Sequence, residues 1–224
     1  MPGHIAIDGP AGSGKTTVAH ALARRLGVLY LDTGAMYRAV ALLSLRAEVD
    51  PHDEVAVLSL ARERPIRVVV DEASPLGFRV FAGDHEFGSE LYGNDVSRVV
   101  SLVSAYAGVR DLMVERQRAI AAEGPVIMAG RDIGTVVLPT AALKIFLTAS
   151  VDERVERRLA ELAARGTHVS RPELRAEIEE RDRLDATRAV APLRPAADAL
   201  EIDSSGATVD EVVERIAELA RAIR

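Results

Sequence analysis

Gly9-Pro10-Ala11-Gly12-Ser13-Gly14-Lys15-Thr16 follows the short apolar run Ile5-Ala6-Ile7 and precedes an amphipathic stretch carrying Val18, Leu22 and Leu26. The spacing is G-x-x-x-x-G-K-[ST] between a strand signal and a helix signal, the setting in which this pattern cradles a polyphosphate. Glycines let consecutive backbone N–H groups turn inward around an anion, and a helix starting near Lys15 adds the positive end of its dipole. Lys15 reaches the outer phosphates, and the Thr16 hydroxyl is placed to ligate Mg²⁺. At average residue frequencies such a match arises by chance in roughly 1% of chains this long, and the flanking strand and helix lower that further. The segment predicts a nucleoside triphosphate as ligand.

Composition bounds the rest. The 224 residues suit one compact α/β unit with small excursions. Hydrophobic residues make up 48% and aromatics only 4%, so the core is built from Ala, Val, Leu and Ile, with few platforms for stacking nucleic-acid bases. A net charge of −6 argues further against a nucleic-acid-binding surface. Lys15 and Lys144 are the only lysines, every other basic side chain being Arg. Cysteine is absent, which excludes disulfides, thiol catalysis and thiolate zinc sites. The five histidines, His4, His20, His52, His85 and His168, have no metal-ligand spacing. The first strand signal leaves no room for a secretory leader, and no apolar run approaches a membrane span. A soluble, cytoplasmic monomer is expected, with no nucleic-acid or membrane partner.

Strands of a buried parallel sheet are predicted at His4–Asp8, Val28–Leu31, Val126–Ala129, Lys144–Leu147 and Ala199–Ile202, mostly separated by helical patterns as βαβ units require. Helices are predicted at 15–26, 34–47, 53–63, 95–122, 152–165, 171–188 and 208–223. Ile66–Val70 and Phe78–Ala82 flank the turn signal Ser74-Pro75-Leu76-Gly77 and read as a hairpin within an insertion over 62–94. The Arg-rich segment 152–170 reads as a mobile helical cover.

Three further segments carry chemistry. Asp32-Thr33-Gly34-Ala35-Met36-Tyr37-Arg38 follows the second strand, at the carboxyl edge where open α/β sheets bind ligands. Thr33 reads as an N-cap with Gly34 opening the helix, and Arg38 one turn on faces the same edge. Gly130-Arg131-Asp132-Ile133-Gly134-Thr135 follows the third strand, its Arg–Asp neighbours forming either a plain salt bridge or a ligand contact. Arg181, Asp185 and Arg188 stand at i, i+4 and i+7 on one helix face. With Arg154, Arg157, Arg158 and Arg165 upstream they suggest a cationic wall, as phosphoryl transfer needs fixed donors for the charge on the transferring group.

Taken together, Ile7-Asp8-Gly9-Pro10, Gly14-Lys15, Asp32–Arg38, Gly130-Arg131-Asp132-Ile133-Gly134-Thr135-Val136-Val137 and Arg188-Ala189-Val190-Ala191-Pro192-Leu193 resemble the bacterial cytidylate kinases of the nucleoside-monophosphate kinase group. The first run is common to many kinases; the later ones, in this order, are far more specific. The resemblance implies a three-layer P-loop kinase fold over 1–224, with a five-stranded parallel sheet, a monophosphate-binding insertion at 62–94 and a helical lid at 152–170. It implies transfer of the ATP γ-phosphoryl to CMP and dCMP, with Mg²⁺ on Thr16. The ATP set would be Gly9, Pro10, Ala11, Gly12, Ser13, Gly14, Lys15, Thr16, Thr17 and Arg157. Thr33, Arg38 and Arg131 would hold the acceptor phosphate. Ser101, Arg110 and Asp132 would meet the cytosine, while Arg181, Asp185 and Arg188 would bind ribose and phosphates. Lys15, Arg131, Arg181 and Arg188 would serve the transition state.

Three other readings stand beside this one. A P-loop kinase for a shikimate- or nucleoside-like acceptor would use Asp132 and Asp185 on hydroxyls. A GTPase switch needs N-K-x-D, yet the single Asn, Asn94, precedes Asp95. A non-enzymatic ATP-binding regulator would show nucleotide affinity without acceptor-dependent turnover.

Overall fold

The computed structural model describes residues 3–71, 74, 77–164 and 166–223. In chain order the elements are β1 (Ile5–Asp8), α1 (Lys15–Leu26), β2 (Leu29–Asp32), α2 (Thr33–Arg46), α3 (Glu54–Glu63), β3 (Ile66–Val70), β4 (Phe78–Ala82) and β5 (His85–Phe87). They continue with α4 (Asn94–Val103), α5 (Ala107–Ala122), β6 (Val126–Gly130), β7 (Leu143–Thr148), α6 (Val151–Ala164), α7 (Arg171–Thr187), β8 (Leu200–Asp203) and α8 (Val209–Ala222). Five strands form one parallel sheet in the order β2-β6-β1-β7-β8. Its central strands are apolar on both faces, with every residue of β1 and β6 buried, as expected where helices cover both sides. The order places β1 between β6 and β7, so the loops after β1 and β6 lie side by side at one edge.

The second sheet, β3-β4-β5, is antiparallel. Its first two strands are the expected hairpin, whose turn residues Pro75 and Leu76 lie outside the described residues. The third strand went unread because His85–Phe87 is too short to show alternation. Its inward residues Ile66, Phe78, Val80, Ala82 and Phe87 join the main hydrophobic core. Helices α6 and α7 instead pack on a small core of their own, Val155, Leu162, Leu174 and Ile178.

Two local expectations need correction. The helix predicted over 95–122 is two helices, α4 and α5, interrupted at Ser104–Tyr106, where Tyr106 turns extended (φ −66°, ψ 122°). The carbonyl of Ser104 accepts a hydrogen bond from Arg110 Nη1 at 3.1 Å, so a buried guanidinium satisfies backbone at the break. The cap of α2 is Asp32 rather than Thr33: the Asp32 carboxylate accepts from the Gly34 N–H at 3.0 Å. Asp is at least as strong a cap as Thr, which frees the Thr33 hydroxyl to donate to the Ala129 carbonyl at 2.9 Å and tie β2 to β6. No helix among the described residues is long and apolar enough to cross a membrane.

Candidate active site

The turn after β1 wraps toward the start of α1. Gly9, at φ +150°, has no room for a side chain, since a Cβ would stand 2.0 Å from the Leu147 carbonyl oxygen. Lys15 Nζ folds back on the turn and donates to the Pro10 carbonyl at 2.6 Å. Behind it, Ser204 Oγ bonds the Ser13 carbonyl at 3.0 Å and the Thr148 carbonyl at 2.9 Å, fixing the turn to β7 and β8. Arg157 reaches Ser204 from α6, at 3.1 Å to Oγ and 2.8 Å to the carbonyl.

A cleft of about 880 Å³ opens in front of this turn. Of the residues picked from sequence, Ala11, Gly12, Ser13, Gly14, Lys15, Thr16, Thr17 and Arg157 line its one end. Thr33, Arg38, Ser101, Arg110, Arg131, Asp132, Arg181, Asp185 and Arg188 line the rest. Gly9 and Pro10 are not in its wall and act beneath it as backbone. Arg154 is not in the wall either: its guanidinium is committed to Asp182 and to the turn, so it drops out of the expected cationic wall. Arg165 lies outside the described residues.

Deeper in the cleft the charges are paired. Arg110 and Asp132, 3% and 4% exposed, form a buried ion pair, and Arg188 Nη2 stands 3.6 Å from the other Asp132 oxygen. The Arg110 guanidinium also lies 5.4 Å from the centre of the Tyr37 ring. Arg131 bonds not its neighbour Asp132 but Asp185, Nε to Oδ2 at 2.8 Å. Arg38 stacks on Tyr92 at 5.2 Å and donates to Leu91 O and Ser97 Oγ, at 3.2 and 3.1 Å. Burial acts against the Asp185 carboxylate, but Arg131 and Arg181 hold it below its ordinary range.

Toward the phosphate turn the balance changes sign. Burial, and then the neighbouring Arg131, push Lys15 well below the ordinary lysine value. Burial, Arg131 and Arg38 bring Arg181 down to about 9, and its Nε has no hydrogen-bond partner among the described residues. Crowded cations whose charged forms are disfavoured define a place for an anion. Thr16 Oγ1 stands 3.4 Å from Asp32 Oδ2, giving a hydroxyl and a carboxylate side by side at the cleft wall. Among the described residues no group of three or more His, Cys, Asp or Glu could cage a metal by itself.

Three contributors escaped the sequence reading. Asp32 was legible as part of its motif but not as a cleft residue. Ser204 follows β8 in an ordinary Asp-Ser-Ser-Gly turn, with nothing in its sequence to mark it. Asp8, at the end of β1, accepts from the Ile133 and Gly134 N–H groups at 2.8 and 2.7 Å. Those residues open a single π-helical turn, Ile133–Val137, a geometry frequent at functional sites. Burial raises the Asp8 pKa to about 6, against the two N–H bonds that lower it.

The chain is similar to known proteins over nearly its whole length. The family model described as cytidylate kinase matches residues 5–222. A cytidylate kinase of Pelotomaculum thermopropionicum is 52% identical over 213 residues, covering 95% of this chain and 93% of that protein. One of Geobacillus kaustophilus is 51% identical over 215 residues, 96% of this chain and 95% of that protein. A gluconokinase crystal structure from Sinorhizobium meliloti 1021 superposes with a TM-score of 0.50 at 14% identity, over 99% of this chain and 95% of that one, a likeness of fold alone. With the match running from the first strand of the parallel sheet through the last helix, the chain belongs to the cytidylate kinase family and is a kinase.

Proposed function

We propose that this kinase transfers the γ-phosphoryl group of ATP to a phosphate oxygen of CMP, and of dCMP, giving ADP and the diphosphate. The observation that carries the reading is the single cleft lined by Lys15, Arg131, Arg181 and Arg188, with the buried Arg110–Asp132 pair in its wall. The amides of Ala11 to Thr17, with Lys15 and Arg157, hold the donor, while Gly9 and Pro10 shape the turn beneath them. Thr33, Arg38 and Arg131 hold the acceptor phosphate. Arg131, Arg181 and Arg188 neutralise charge on the transferring group, a role that suits a planar, permanently charged fork. No strong general base is required, because a phosphate dianion is already nucleophilic.

Thr16 and Asp32 offer the hard oxygen donors that suit Mg²⁺, which when bound would supply positive charge to the phosphates. Since these two residues cannot complete a coordination shell, substrate phosphates and water would fill it.

Asp132 accepts from the exocyclic amino group of cytosine while Arg110 and Ser101 meet its ring nitrogen and carbonyl. Uracil would set a carbonyl against the Asp132 carboxylate. A buried unmet polar group costs about 1–3 kcal/mol, or roughly ten- to a hundredfold in discrimination. Asp185 meets the ribose, with Arg181 and Arg188 beside it. Residues 62–94 form the insertion flanking the monophosphate, and 152–170 the lid that excludes water. The separate core of α6 and α7 supports a lid that moves as a unit.

A coupled ADP-release assay across AMP, CMP, GMP, UMP and dCMP tests the assignment. CMP and dCMP should turn over fastest. Turnover with UMP equal to that with CMP would remove the cytosine reading, and turnover with none of the five would remove the nucleotide acceptor.

A further inference from the structure

Arg154 is 4% exposed. It makes four hydrogen bonds to three segments of the chain. Nη1 donates to the Ala11 carbonyl at the tip of the phosphate turn, 3.1 Å away, and to Asp182 Oδ1 at 3.0 Å. Nη2 donates to Asp182 Oδ2 at 2.6 Å, and Nε to the Ala149 carbonyl after β7 at 3.2 Å. Its stem lies against Gly12, where a Cβ would come within 3.2 Å of Arg154 Cβ.

Asp182 sits on α7 between two cleft residues of the same helix, Arg181 just before it and Asp185 one turn later. Helices α6 and α7 pack on their own small core, separate from the main one. Apolar packing therefore holds these two helices to each other more than to the phosphate turn. Toward the phosphate turn their polar ties among the described residues include Arg154 and, by way of Ser204, Arg157, while Asp185 on α7 is also bonded to Arg131 after β6. With Arg154 buried and Asp182 half-buried, the cost of desolvating the guanidinium offsets much of the pair's attraction, so stability alone is a weak reason for it. Bidentate geometry fixes orientation as well as distance. An Arg–Asp pair that also grips the turn's carbonyl thus sets the position of α7 relative to the phosphate cradle.

We infer that Arg154 and Asp182 are positioning residues that couple the two nucleotide sites: through them the phosphate turn sets where Asp185 stands in the acceptor half of the cleft and where Arg181 stands beside the turn. Neither touches substrate. The inference rests on the proposed ATP and CMP sites and goes beyond them, because two well-formed sites need not communicate. Coupling of this kind is reciprocal, each nucleotide tightening the other by one common factor.

Titration calorimetry of CMP with and without a non-hydrolysable ATP analogue reads that factor. In the wild-type protein the analogue should tighten CMP about fivefold or more. Asp182→Asn keeps the shape of the side chain but sets an amide donor against the guanidinium. In that variant the ratio should fall to within about twofold, with the Kd of each nucleotide alone shifted less than about threefold; at saturating ATP the KM for CMP should therefore rise by the coupling lost, roughly two- to fivefold. Arg154→Lys retains the charge but cannot hold both Asp182 oxygens and the Ala11 carbonyl, and it should lose coupling likewise; it also provides the reading if Asp182→Asn does not fold. Wild-type coupling near unity, or full coupling in either folded variant, overturns the inference while leaving the function intact. Failure of CMP to bind the wild-type protein at all strikes the functional reading instead.

Discussion

The two halves of the cleft handle charge in opposite ways. In the acceptor half Arg110 pairs with Asp132 and Arg131 with Asp185, and Arg188 stands near the other Asp132 oxygen. In the half around the phosphate turn, Lys15 has only a backbone carbonyl, and Arg181 leaves Nε unbonded among the described residues. The first arrangement has its carboxylates ion-paired without a ligand and presents donors and acceptors in set places, as suits a base and a sugar. The second is electrostatically frustrated until a polyanion arrives. Preorganised pairing gives selectivity, and crowded cations give affinity for phosphate.

The widest gap between the halves should appear with Lys15→Met, which removes a crowded cation. Its kcat in the ADP-release assay should fall roughly 10²–10³-fold, the scale for losing one preorganised transition-state donor. The melting temperature without nucleotide should hold or rise, because a buried cation held below its ordinary pKa is relieved. A matched pair of substitutions sharpens the contrast. Arg131→Met strands the buried Asp185 carboxylate and should cost about 3 kcal/mol in urea unfolding. Arg181→Met strands no carboxylate that lacks another partner, and its apo stability should equal or exceed wild type while activity falls. Equal destabilisation by the two would dissolve the distinction.

A smaller effect tests the paired half. Asp132→Asn converts an acceptor-only group into one that also donates, so the UMP-to-CMP ratio of kcat/KM should rise by roughly 10–100-fold. An unchanged ratio would detach Asp132 from the base.

The smallest effect belongs to Asp8, which pins the turn carrying Arg131 and Asp132. Its pKa rises on folding from 3.8 to about 6, burial being the main cause. The folded protein therefore holds this proton between those pH values where the unfolded chain has released it. That contribution to stability is full below about pH 4 and is lost as the pH rises through about 6. Asp8→Asn should remove it, so the stability difference between variant and wild type should change across pH 4–6 and be flat above pH 7. A difference constant with pH would mean that Asp8 does not titrate there.

What the sequence made legible was whatever carries a local signature. The phosphate turn has fixed spacing, the buried strands are continuous apolar runs, and Arg38, Arg131 and Arg188 sit in recognisable motifs after strands or on helices. What stayed hidden depends on contacts between distant segments. Helical propensity runs on through Ser104-Ala105-Tyr106, and the break shows only once Arg110 turns back to the freed Ser104 carbonyl. Asp8 looks like the polar end of a strand until the Ile133 and Gly134 amides, some 125 residues away, are seen to point at it. Arg154 resembles its arginine neighbours in sequence, and only packing shows that it faces Asp182. At α2 the sequence pointed to Thr33 as the cap, and the geometry puts Asp32, one residue earlier, in that role.

The strand order has a consequence for the chain's birth on the ribosome. Strand β1 is synthesised early, yet its first neighbour, Val126–Gly130, follows only about 120 residues later. At about 5–20 residues per second that is a wait of roughly 6–24 s. Throughout it, Ile5-Ala6-Ile7 lacks its sheet partner and stays an apolar segment open to other contacts, and the turn at its end is not held in place until β6 has been made.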